Sequence, residues 1–119
     1  MADAAEIPDP RFLEGIERFN QGEYFEAHEV WEDLWQDSPS ADRRFYQALI
    51  QAAVAIYHHQ RGNNTGAQRL LQSGRRYMQP YAPVYHGLAV EAFWEAVAAY
   101  LAGWGTAPQI AITSNIPKT

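Results

Sequence analysis

Apolar residues in this chain recur every three to four positions, and polar punctuation cuts the pattern into five stretches. Phe12, Ile16 and Phe19 make the first stripe, with Leu13 beside it. Asp9–Pro10 reads as an N-cap followed by proline at the first helical position, and Asn20–Gln21–Gly22 ends the segment. A second helix is predicted from Glu23 or Tyr24 to about Gln36, closed by DSPSAD, in which Pro39 breaks the pattern and Ser40 or Asp42 caps the next helix. The third stretch, RRFYQALIQAAVAIYHHQR, is apolar round most of its circumference, the mark of a central helix covered on several sides. GNNTG is a turn, after which Ala67, Leu70, Leu71, Gly74, Tyr77 and Met78 form a fourth stripe. QPYAPVYHG is a Pro-rich connection, and LAVEAFWEAVAAYLAG is a fifth helix with Val90, Phe93, Trp94, Val97 and Leu101 inward.

No segment sustains a period of two, so no sheet is expected. The predicted fold is all-α, an irregular antiparallel bundle of about five helices. Residues 1–8 read as an N-terminal tail, 9–103 as a single bundle domain, and 104–119 as an extended or poorly ordered tail with isolated Ile110, Ile112 and Ile116. There is one internal echo. Gly22 precedes Ala27 by five residues and Gly62 precedes Ala67 by the same offset, each after a helix. FNQGEYFEAHEVWEDL also looks like a tetratricopeptide turn, but two copies 40 residues apart amount to a duplicated helical hairpin, short of a solenoid.

Composition narrows the function classes. A chain of 119 residues with 47% hydrophobic and 13% aromatic residues can build its own core, and the absence of Cys removes disulfides and thiolate chemistry. The net charge of −5 argues against a nucleic-acid-binding surface; the pairs Arg43–Arg44 and Arg75–Arg76 read as helix-surface charges. ALIQAAVAIY is too short to span a bilayer, and MADAAEIPDP has acids and prolines where a secretory leader needs a basic and an apolar region. A cytoplasmic protein without a membrane partner is therefore expected. The many aromatics and the apolar last helix are compatible with a homodimer.

Two helices carry polar residues on faces that should be oil. Rotating the second helix by roughly 100° per residue places His28 and Glu32 on the side of Tyr24, Trp31 and Trp35, with Glu29 facing water. On the central helix, Gln47, Gln51 and His58 form a narrow polar stripe with Val54 between them. If the stripes face each other, five polar groups and Trp35 line one inter-helix cleft. A purely structural network that fixes helix register is the alternative. HEVWE departs from the zinc-protease pattern because Glu32 stands where the second His belongs, and Phe25 stands where a di-iron bundle would need Glu. His28, Glu32 and His58 remain a candidate mononuclear set for a divalent metal, zinc or iron with an open position. His86 falls in a loop and is not placed.

With these residues laid out, YFEAHEVWEDLW and FYQALIQAAVAIYHHQRGNNTGAQRLL resemble the small helical family known as domain of unknown function number three hundred and nine. That family is typified by an H-x-x-x-E-x-x-W motif, matched here by His28, Glu32 and Trp35, and the similarity runs from about Phe12 to Leu88. The resemblance implies a compact all-α bundle and supplies no activity. YHGLAV departs from the family, which usually has Asp at the position of Ala89. Three readings stand: a binding domain holding a small polar ligand or a metal among His28, Glu32, Trp35, Gln47, Gln51 and His58; a metal-dependent hydrolase built on His28 and Glu32; or a module that binds a protein partner, in which the polar cluster is only structural. No catalytic nucleophile is visible.

Overall fold

The computed structural model describes residues 9–112. The expected tail over 1–8 and the position of Ile116 lie outside them. Five helices follow in order: α1 (Pro10–Asn20), α2 (Tyr24–Asp37), α3 (Ser40–Gln60), α4 (Asn64–Met78) and α5 (Val90–Leu101). The all-α reading holds. Asp9 caps α1 by accepting the Arg11 backbone N–H at 2.8 Å, and Asn63 caps α4 through Gly66 N–H at 3.0 Å.

The first four helices form two hairpins with the same connection. Gly22 N–H donates to Phe19 O and Glu23 N–H to Arg18 O; forty residues on, Gly62 N–H donates to His59 O and Asn63 N–H to His58 O. Both glycines take left-handed backbone angles, φ +82° and +83°, which let the chain turn back while satisfying the last helical carbonyls. Ala27 and Ala67, five residues further on, are fully or almost fully buried where the second helix of each pair crosses the first. The sequence echo is thus a repeated helix–turn–helix.

The core runs along α3. Phe45, Ala48, Leu49, Ala52, Ala53, Ala55 and Ile56 are all inaccessible, as expected of a helix apolar on most sides. Two indoles lock the outer helices. Trp31 of α2 lies against Gly15 of α1, and its Nε1 donates to Phe12 O at 3.3 Å. Trp94 of α5 lies against Gly74 of α4, with Nε1 3.1 Å from Met78 Sδ. Phe93 reaches Phe19 with ring centres 6.0 Å apart, so α5 closes over the end of α1.

One feature differs from the sequence expectation, and a second adds to it. The Pro-rich connection contains a small antiparallel hairpin, β1 (Val84–Tyr85) with β2 (Leu88–Ala89), too short to show a period of two. Its two-residue turn has φ 48° at His86 and 80° at Gly87, the signs that a type I′ hairpin requires. Beyond α5, the stretch to Ile112 has no helix or strand, but Pro108 and Ile110 are buried. Asn20 holds Ile110 from both sides: its Nδ2 donates to Ile110 O at 2.9 Å and its Oδ1 accepts Ile110 N–H at 2.7 Å.

The glycine contacts predict a graded stability series. A Cβ on Gly15 would sit 2.0 Å from Trp31 Nε1, and one on Gly74 2.4 Å from Trp94 Cη2. Gly15→Ala and Gly74→Ala should each cost about 2–3 kcal/mol by overpacking a fixed indole. Gly22→Ala, with nothing near its Cβ, should cost only about 1 kcal/mol for its backbone angle. Urea denaturation of the three variants ranks them; equal costs would mean that the indoles yield.

Candidate functional site

The α2–α3 seam is defined by its two ends. At one, the Arg43 guanidinium lies 4.5 Å from the centre of the Trp35 ring and donates to Trp35 O at 3.2 Å. At the other, Phe25 and Tyr57 meet with ring centres 5.6 Å apart. The helices are therefore antiparallel, and these pairings put His28 at the level of Gln51 and Glu32 at the level of Gln47. His28, Trp35, Gln47, Gln51 and His58 are each half-buried.

The orientations refine the sequence reading. Glu32, expected to face inward, lies on the rim with 48% of its side chain exposed, and its Oε1 is 3.7 Å from His28 Nε2. Its helical angle, near the edge of the packed arc, explains this. His58 stands seven residues beyond Gln51, about 10 Å further along α3. Among the described residues no three His, Cys, Asp or Glu side chains form a group that would hold a metal ion, so His58 does not complete a three-ligand set with His28 and Glu32.

Side-chain hydrogen bonding separates this seam from an ordinary structural network. Among the described residues, no hydrogen bond joins the side chains of His28, Gln47, Gln51 and His58 to one another. Among the described residues four buried side-chain polar atoms have no hydrogen-bond partner, and three of them belong to this seam: His28 Nδ1, Trp35 Nε1 and Gln51 Oε1. An unpaired buried polar atom costs about 1–3 kcal/mol, so three along one seam mark a place where a pairing partner would gain free energy. Their chemistry is mixed. The indole N–H donates, the amide oxygen accepts, and the imidazole nitrogen does either according to its tautomer.

The fourth such atom, His86 Nε2, belongs to a second polar cluster that the sequence did not place. The type I′ turn brings His86 over α3, where it stacks on Tyr46 with planes 14° apart. Its Nε2 lies 3.4 Å from Asp42 Oδ1 without hydrogen-bond alignment, and the Tyr85 hydroxyl donates to that same oxygen. Burial pushes the Tyr85 phenol well above its ordinary value, and the bond to Asp42 adds to it; burial does the same for Tyr46, with the Asp42 charge second. Both therefore act as fixed donors or packing rings, not as ionisable groups near neutral pH. The only signal for this cluster in the sequence was the HG pair at a hairpin turn.

Fold and seam together define a small domain of two duplicated helical hairpins closed by a fifth helix, with a polar strip between the second and third. Residues 12–70, from α1 into α4, match the family described as Domain of unknown function (DUF309). The chain belongs to that family. It is also similar to Uncharacterized protein YpuF of Bacillus subtilis (strain 168), 45% identical over 58 residues, which cover 48% of this chain and 33% of the relative. The chain thus aligns with about a third of that relative's length. No helix among the described residues is long and apolar enough to cross a membrane.

The tyrosines supply a pH prediction. A phenol whose pKa is raised on folding contributes stability that is complete below the unfolded value near 10 and is lost as pH rises beyond it. Tyrosinate absorbance should show Tyr46 and Tyr85 among the seven tyrosines ionising only with cooperative alkaline unfolding. Tyr46→Phe and Tyr85→Phe should each remove one late-ionising group. Free ionisation of all seven in the folded protein would refute the assignment.

Proposed function

We propose that this domain binds a small polar ligand in the α2–α3 seam, with Trp35 as wall and donor, Gln51 as acceptor and His28 as an adaptable partner held by Glu32. The observation that carries this reading is the set of three unpaired polar atoms on His28, Trp35 and Gln51. A donor and an acceptor on facing helices of one seam match a ligand that carries both a carbonyl and an N–H, as carboxamides and lactams do. Gln47 and His58 extend the strip toward its two ends and would select among such ligands. Arg43, stacked on Trp35, fixes the indole plane. Glu32 on the rim orients the imidazole and stays solvated.

The test is NMR titration of the whole chain with nicotinamide, glutamine and uracil, read at the Trp35 indole N–H. At least one probe should shift that resonance saturably in the wild type. His28→Ala and Gln51→Leu should abolish the shift. Gln51→Leu should also leave stability unchanged or raise it by about 1–2 kcal/mol, because it removes an unpaired acceptor at nearly constant volume. An indole resonance indifferent to all three probes, or moved equally in Gln51→Leu, would sink the proposal.

A further inference from the structure

We propose a second site, a cleft between the start of α3 and the end of α4 that binds small phosphate monoesters. The cleft has a volume of about 330 Å³ and is lined by Arg44, Arg76, Tyr77, Pro80 and Tyr81. The Arg44 guanidinium lies 4.3 Å from the centre of the Tyr77 ring and that of Arg76 5.9 Å from it, so two cations converge on one phenol. Tyr81 is a preformed wall: its hydroxyl donates to Ala41 O at 2.6 Å and its ring packs on Phe45 and Tyr85.

The segment that lines this cleft carries no acid, and the nearby Asp42 carboxylate is taken up by Tyr85. Twelve of the fourteen acids precede Arg43, and no Asp or Glu occurs from Arg43 to Val90, a stretch with six arginines. The overall charge of −5 conceals this. Arg11 is engaged by Asp9 and Asp37, and Arg18 by Glu14 and Glu23. Among the described residues neither Arg44 nor Arg76 has a carboxylate within 4.0 Å. Two guanidiniums drawn together without an anion repel each other, and a bound anion reverses the sign of that interaction.

The ligand class follows from charge and size. A phosphate monoester carries roughly two negative charges near neutral pH, as its second ionisation falls near 6. Two guanidinium forks match that charge and its oxygens bidentately, while a carboxylate offers one charge to two cations. The volume is at the small end of ligand pockets, about 300–1,000 Å³, which suits a compact ester whose carbon skeleton rests on Pro80 and the Tyr81 ring.

The experiment titrates the whole chain with inorganic phosphate, ribose 5-phosphate and acetate at low salt, by calorimetry and by the arginine Nε–H resonances. Phosphate and ribose 5-phosphate should bind saturably, the ester more tightly, and acetate at least about tenfold more weakly. Arg44→Gln and Arg76→Gln should each weaken the ester at least about tenfold, and Arg44→Lys by less. Arg69→Gln, on the exposed face of α4 outside the cleft, should change nothing, and circular dichroism checks that each variant is folded. Acetate binding as tightly as phosphate, an equal loss in Arg69→Gln, or no saturation would overturn the site. Vesicles of phosphatidylcholine carrying phosphatidic acid form the last arm: retention on vesicles without binding of the soluble ester would overturn it in favour of a lipid headgroup.

Discussion

The Trp31 indole seated on Gly15 sets the rotation of α2 about its own axis, and the placement of the polar strip depends on it. A side chain of any size at Gly15 would overlap the ring, so α1 and α2 approach as closely as their backbones and one indole allow. With Trp31 turned fully into α1, the neighbouring arc of α2, which carries His28 and Trp35, has to face α3. The polar strip is thus placed by an apolar contact on the adjacent face. Trp94 on Gly74 repeats the device between α4 and α5, so both outer helices are indexed by an indole over a glycine.

The two polar clusters differ in how far the protein satisfies them. Around Asp42, the Tyr85 hydroxyl donates to the carboxylate beneath a lid of aromatic rings, so the carboxylate is engaged within the fold and only His86 Nε2 beside it stays unpaired. Along the α2–α3 seam, donor and acceptor atoms stand on adjacent helices without meeting. The first pattern is what anchoring a hairpin to a helix looks like. The second leaves free energy to be gained by whatever pairs with those atoms, which is why the seam, and not the better-organised cluster, carries the functional proposal.

Much of the architecture was legible because its elements are long compared with their period. Five helices follow from apolar spacing, and the repeated glycine-to-alanine offset marks the two hairpins. The features that escaped were short or depended on distance along an axis. A hairpin of two-residue strands has no periodicity to read, so His86 could not be brought to Asp42. Helical angle alone put Glu32 inside and grouped His58 with His28, but angle ignores both the margin of a packed arc and the rise along the helix. Arg44 and Arg76 were read as surface charges, since their convergence on Tyr77 is a tertiary fact. The one hint was the acid-free run from Arg43 to Val90, hidden by averaging charge over the whole chain.

The repeated connection has a kinetic consequence. Each turn brings together helices that are consecutive in the chain, and the seam joins the second helix to the third, so the main interfaces link nearest neighbours in sequence. A chain organised this way surrenders little loop entropy before each contact is rewarded. Either hairpin can form on its own local signals, with a left-handed glycine closing it and a small alanine admitting the partner helix. The contacts of longest range are those of α5 and the segment to Ile112, where Phe93 meets Phe19 and Asn20 clasps Ile110. By that logic two local hairpins favour fast folding, and a change that loosens α5 would shorten the lifetime of the folded state more than it would slow its formation.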